Sequence, residues 1–194
     1  MPKKLFIPGP VDVSPDVLEQ FSRPMIGHRG KEFTEIFERS IKNLKRLMYT
    51  NGEVIISTSS STGLMEAAIL NCVNGKCLNF VNGSFSERWY EITKACGKDN
   101  HKVDVEWGKA VTPELLEDEL SKEDYDAVTI VMNESSTGVT SPIYELSKVF
   151  KEHDNICFLK LSKGITFSKK LGFLYFRQIF SVRKAIRHLH YHGL

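Results

Sequence analysis

Val54-Ile-Ile-Ser-Thr-Ser-Ser-Ser-Thr-Gly-Leu-Met-Glu-Ala-Ala-Ile-Leu70 is the stretch on which the reading of the fold turns. Its β-branched opening, Val54 to Ile56, predicts a short buried strand. Five hydroxyl residues follow, Ser57 to Ser61, then Thr62-Gly63, and from Leu64 the residues are good helix formers. A strand that turns through small hydroxyl residues into a helix is the layout of an anion site. The first helical turn has unpaired amide donors, the helix dipole makes that end positive, and small side chains let a phosphate approach. The plainer alternative is that one hydroxyl caps the helix and the others fill a polar loop. The stretch has neither the Gly-Lys-Ser/Thr of a Walker loop nor a Gly-x-Gly-x-x-Gly pattern.

Working outward, the chain of 194 residues, 41% hydrophobic and 26% charged, has the composition of a soluble globular domain. A net charge of +2 selects no class of partner by itself. The four cysteines, Cys72, Cys77, Cys96 and Cys157, show no Cys-x-x-Cys spacing and read as reduced structural thiols. The first residues hold no apolar run of signal-sequence length, and no segment reaches transmembrane length. These features predict a cytoplasmic, intracellular protein.

Before the key stretch, Ser14-Pro15 reads as N-cap and first helical residue of a short helix to Phe21. Residues 32–49 form a long amphipathic helix with Phe33, Ile36, Phe37, Ile41 and Leu44 on one side. After it, strands are expected at 76–81, 103–107, 127–132 and 156–159, and helices at 86–95, 112–120 and 142–152. Asn133 to Gly138 reads as a polar loop. Strands alternating with helices of about ten residues predict an α/β fold, a mostly parallel sheet with helices on both faces. Ligands of such sheets sit at the carboxyl ends of the strands. There the sequence places Ser57–Gly63, Asn82–Phe85 and Asn133–Gly138, an edge suited to a small phosphorylated ligand with a flat ring.

Pro8-Gly9-Pro10, Arg23-Pro24-Met25-Ile26-Gly27-His28-Arg29, Ser60-Ser61-Thr62-Gly63-Leu64-Met65-Glu66, Asn82-Gly83, Glu106-Trp107-Gly108 and Glu134-Ser135-Ser136-Thr137-Gly138 stand in one register. Together they resemble class V pyridoxal-phosphate aminotransferases, nearest to the alanine–glyoxylate and serine–pyruvate branch, over about residues 5–159. The resemblance implies a partial large domain of a fold-type I transferase and pyridoxal 5'-phosphate (PLP) as cofactor. It implies that Ser60, Ser61 and Thr62 hold the cofactor phosphate, that Phe85 stacks on the pyridine ring, and that Ser135 lies near the phenolic oxygen. Gly9, Gly27, His28 and Arg29 match the segments near the substrate entrance and the dimer contact. The substrates implied are a small amino acid and a 2-oxo acid, and the family's assembly is a homodimer. Cysteine desulfurases use histidine where this chain has Phe85, so the aminotransferase branch is preferred.

After Leu159 the resemblance breaks off. The family continues with Val-Asp, whose aspartate pairs with the pyridinium nitrogen, where this chain has Lys160-Leu161. The later Schiff-base lysine has no counterpart, so no catalytic residue is assigned and transamination by this chain alone is not expected. Residues 160–194 carry eight Lys/Arg and no Asp or Glu, which leaves the first 159 residues at −6. Such a shift reads as a frameshift, a retained intron or an alternative exon. The expected division is an arm and short helix (1–22), a truncated cofactor domain (23–159) and a basic tail of different origin (160–194). Alternatives are a non-catalytic fragment or partner subunit, and a binding module based on the tail. No nucleic-acid partner, transmembrane segment or metal site is expected, His188-x-His190-x-His192 included.

Overall fold

The computed structural model of the chain describes residues 4–6, 12–47, 51, 54–153 and 157–161. They fall into two compact units, one reaching Thr58 and the other starting at Ser59.

In the first unit, α1 spans Pro15–Gln20. Ser14 is extended (φ −65°, ψ 145°) and its carbonyl accepts from Val17 N at 3.0 Å and Leu18 N at 3.1 Å. The Ser14 hydroxyl makes no cap bond, so the fixed φ of Pro15 sets the helix start. A turn closed by Gly30 N on Gly27 O (3.0 Å) leads into α2, Lys31–Leu47. Phe33 and Phe37, one helical turn apart, stack with ring centroids 6.0 Å apart. The helix begins one residue before the expected Glu32, and residues 48–50 lie outside the described ones.

The second unit contains α3 (Ser61–Cys72), β1 (Lys76–Val81), α4 (Ser84–Ala95), β2 (Asp99–Asp104) and α5 (Pro113–Leu120). It continues with β3 (Ala127–Val131), β4 (Asn133–Glu134), β5 (Val139–Thr140), α6 (Ile143–Glu152) and β6 (Cys157–Leu161). β1, β2, β3 and β6 form a parallel sheet in the order β2-β1-β3-β6. Alternate strand residues supply two cores. Cys77, Ala127 and Val131 join Met65, Ile69 and Trp89 of α3 and α4. Leu78, Phe80, Val128 and Ile130 join Leu116 of α5 and Leu146 of α6. Helices thus cover both faces, as the alternation of elements predicts, and the near-continuous apolar runs of β1 and β3 follow from burial on both sides.

A polar link sits inside the first of these cores. Thr129 Oγ1 donates to Asn79 Oδ1 at 2.9 Å, and Thr93 Oγ1, 3.2 Å from the same oxygen, donates to Trp89 O at 2.8 Å. β1, β3 and α4 are tied by side chains as well as by packing. Beside them Cys77 is free and buried, and burial pushes its thiol up to about 12.

Three expectations are corrected. The strand at Val54–Ile56 does not form: the segment pairs with no described strand, and Ile55 is 85% exposed. A β-branched run becomes a strand only beside a partner, and this one pairs with none among the described residues. The strand expected at 103–107 is Asp99–Asp104, because register with β1 (Lys76 opposite Asp99, Val81 opposite Asp104) outweighs the alternation that suggested the later span. Its polar residues suit an edge position. The loop Asn133–Gly138 is a hairpin in which Glu134 pairs with Val139, and Gly138 turns the chain at φ +73°.

Replacing Leu78 by Ala should lower stability by about 2–5 kcal/mol, read from chemical denaturation followed by circular dichroism. An unchanged midpoint would mean that β1 is not the core strand. Cys77 should resist a thiol reagent at about pH 8 in the folded chain and react after denaturation.

Candidate functional site

Parallel pairing of β1 with β3 brings the segments after both strands to one edge of the sheet. Asn82-Gly83-Ser84-Phe85 leaves β1 and enters α4, while the β4–β5 hairpin leaves β3. The two interlock through side chains. Ser84 N donates to Ser136 Oγ at 3.0 Å, and Thr137 Oγ1 lies 3.4 Å from Asn82 O. Asn82, itself buried, donates through Nδ2 to Lys109 O at 2.9 Å and fixes the turn that holds Trp107.

At the centre of this contact lies Glu134, fully buried. Its Oε1 accepts from Ser136 Oγ at 2.6 Å, and from Phe85 N and Ser136 N at 3.3 Å each. Its Oε2 accepts from Ser86 N at 2.9 Å and lies 3.0 Å from Ser86 Oγ. The first turn of α4 is thus closed by a carboxylate from 48 residues away, in the place a local cap would fill. Gly83 makes the approach possible: a Cβ there would meet Glu134 Cγ and Cδ and Ser136 Oγ, each at 2.5 Å.

The first turn of α3 is built differently. Ser60 is its N-cap, extended at φ −66°, ψ 162°, and its Oγ accepts from Gly63 N at 3.2 Å. Ser59 Oγ donates to Ser60 O at 2.9 Å and occupies the space that a Cβ at Gly63 would need. Ser61 is half-buried and Thr62 exposed, in the turn where a helix offers its own amides no acceptor. The capping reading of this stretch is thus the one observed: Ser60 caps α3.

Of the residues singled out from the sequence, Ser60, Ser61 and Thr62 start α3. Phe85, half-buried, packs against the core cluster that includes Met65 and Ala68 of α3. Ser135 is exposed at the hairpin turn, next to Glu134. Gly27, His28 and Arg29 form the turn before α2 in the other unit. Gly9 and all of 162–194, with its histidines, lie outside the described residues. Glu134, Ser86 and Ser136 are residues that the sequence reading assigned no role. Among the described residues, no group of three His, Cys, Asp or Glu is placed to hold a metal, and no helix is long and apolar enough to cross a membrane.

The sequence profile of the Aminotransferase class-V family matches residues 16–164. An uncharacterized aminotransferase of Methanocaldococcus jannaschii is 41% identical over 155 residues, covering 78% of this chain and 40% of the relative. An aspartate aminotransferase of subgroup IV from Thermus thermophilus superposes with a TM-score of 0.72 at 34% identity, over 79% of this chain and 44% of that one. Alanine–glyoxylate aminotransferase from Nostoc sp. gives a TM-score of 0.74 at 25% identity, over 79% and 41%. The chain thus spans about 40% of the length of the curated relatives it matches. The family is PLP-dependent. By its profile, its relatives and its fold, the chain belongs to the class-V aminotransferases.

Proposed function

We propose that the chain is the cofactor-holding part of an aminotransferase that moves the amino group of a small amino acid, such as alanine or serine, to glyoxylate or pyruvate. What supports this reading is that α3 opens on a neutral hydroxyl turn (Ser60–Thr62) and that a half-buried aromatic, Phe85, packs on the core cluster to which α3 contributes Met65, Ala68 and Ile69. The name of the Nostoc neighbour supports the glyoxylate side of the reaction.

The residues present fit the cofactor. The turn at Ser60–Thr62 offers amides, hydroxyls and the positive end of the α3 dipole to a phosphate. Phe85 offers a ring face, worth about 0.5–1.5 kcal/mol beyond burial when an aromatic stacks on it. The hydroxyl of Ser135 serves as a hydrogen-bond partner for the phenolic oxygen. Bound here, PLP supplies the electron-withdrawing ring that stabilises negative charge at the amino acid's α-carbon. Gly9, Gly27, His28 and Arg29 belong to this proposal through the family resemblance alone, as matches to the segments near the substrate entrance and the homodimer contact. The Lys160-Leu161 pair in place of Val-Asp removes the carboxylate that would hold the pyridinium proton, so the chain alone binds without transaminating.

Pyridoxine 5'-phosphate tests the site directly, because it keeps ring and phosphate but has no aldehyde to condense with surface lysines. Titration should show saturable binding, weakened at least about tenfold by changing Ser60, Ser61 and Thr62 together to Ala. Phe85→Ala should weaken it roughly 2- to 12-fold, the free energy of a lost stacking contact. Equal affinity in all three proteins would overturn the assignment. With PLP, alanine and glyoxylate, the chain alone should form no pyruvate or glycine above the protein-free blank.

A further inference from the structure

The helices α3 and α4 open with first turns that are treated in opposite ways, that of α4 directly after β1 at the carboxyl edge of the sheet. The α3 turn is closed by a neutral hydroxyl, Ser60. The α4 turn is closed by Glu134, a buried carboxylate that makes no ion pair with Lys, Arg or His among the described residues and is held by amides and hydroxyls alone. Burying a charge in this way is costly unless every lone pair is used. A serine or asparagine at position 83 would cap the helix without any buried charge. Instead Gly83 stands there, and its missing Cβ leaves the room that the distant carboxylate takes.

What the distant carboxylate does, and a local cap cannot, is join two loops. Through Phe85 N and Ser86 N it fixes the turn that carries the Phe85 ring, and through Ser136 it fixes the turn that carries Ser135. It also places a negative charge at the α4 N-terminus, which repels a second anion and leaves the α3 turn as the phosphate seat. We infer that Glu134 is a positioning residue for the cofactor: it clamps the Phe85 and Ser135 turns into one ring-binding surface and directs the phosphate to α3. This rests on the reading of the edge as a PLP site.

The test uses the full chain and pyridoxine 5'-phosphate, read by affinity and by the circular dichroism induced in the bound ring. Glu134→Gln should stay folded by far-ultraviolet circular dichroism, bind at least about tenfold more weakly and lose the induced signal. Adding Phe85→Ala to Glu134→Gln should weaken binding by less than twofold more, because both changes remove the same stacking surface. A second variant separates capping from positioning. Gly83→Ser with Glu134→Ala restores a local cap, so it should recover thermal stability but not the ring signal. Wild-type affinity and ring signal in either folded variant would overturn the inference while leaving the cofactor site standing. Loss of folding in both variants would also overturn it, since Glu134 would then hold the fold as a whole. Failure of the unaltered chain to bind pyridoxine 5'-phosphate would overturn the functional reading itself, and this inference with it.

Discussion

The parallel pairing of β1 with β3 is the constraint on which the site depends. Cys77 lies opposite Ala127 and Asn79 opposite Thr129, so the two strands end side by side and both following segments emerge at one edge. Apolar burial on both faces sets that register, and the Asn79–Thr129 hydrogen bond ties it from within. A slip of β1 by one residue would turn Leu78 from one core to the other and aim Asn79 at the opposite helices. The same slip would move Glu134 away from the first turn of α4. The core and the site are therefore not separable here: the interdigitation that stabilises the sheet also brings a carboxylate to within hydrogen-bond reach of the Phe85 amide.

Much of this architecture is legible in the sequence because it depends on local signals. Thr112-Pro113 caps a helix wherever it stands, and here Thr112 Oγ1 accepts from Leu115 N at 3.3 Å. The apolar runs 76–81 and 127–131 read as strands since burial on both faces demands such runs. Ser60–Thr62, Phe85 and Ser135 are singled out by the register of motifs; the fold packs Phe85 on a cluster that includes Met65 and Ile69 of α3 and sets Ser135 beside Glu134 in the hairpin. What is not legible depends on partners distant in sequence. Val54–Ile56 has the composition of a strand but no partner strand among the described residues. Asp99–Asn100-His101-Lys102 has the composition of a loop, yet it forms a strand because β1 offers it an open edge. Glu134 is hidden most completely, since a carboxylate among serines in a turn has the look of a solvated residue. Only the contact with Ser86 and Phe85 shows that it is buried.

Electrostatics connects these observations to chemistry. A helix N-terminus carries about half a positive charge, and its effect fades within the first turn, so what sits in that turn decides what else can bind there. One N-terminus is filled by an internal carboxylate and the other by a neutral cap, and on the proposed reading this leaves the α3 turn as the anion seat. A phosphorylated ring that enters such an edge has one orientation that satisfies its phosphate. The segment 57–63 contains no Lys or Arg, so in the proposed site selectivity would come from oriented amides and hydroxyls, which recognise the shape of a phosphate as well as its charge. On the proposed reading, orientation of the ring is a property of the fold: the phosphate would sit at α3, the ring would lie on Phe85, and the buried carboxylate between the two loops would hold the Phe85 and Ser135 turns in register.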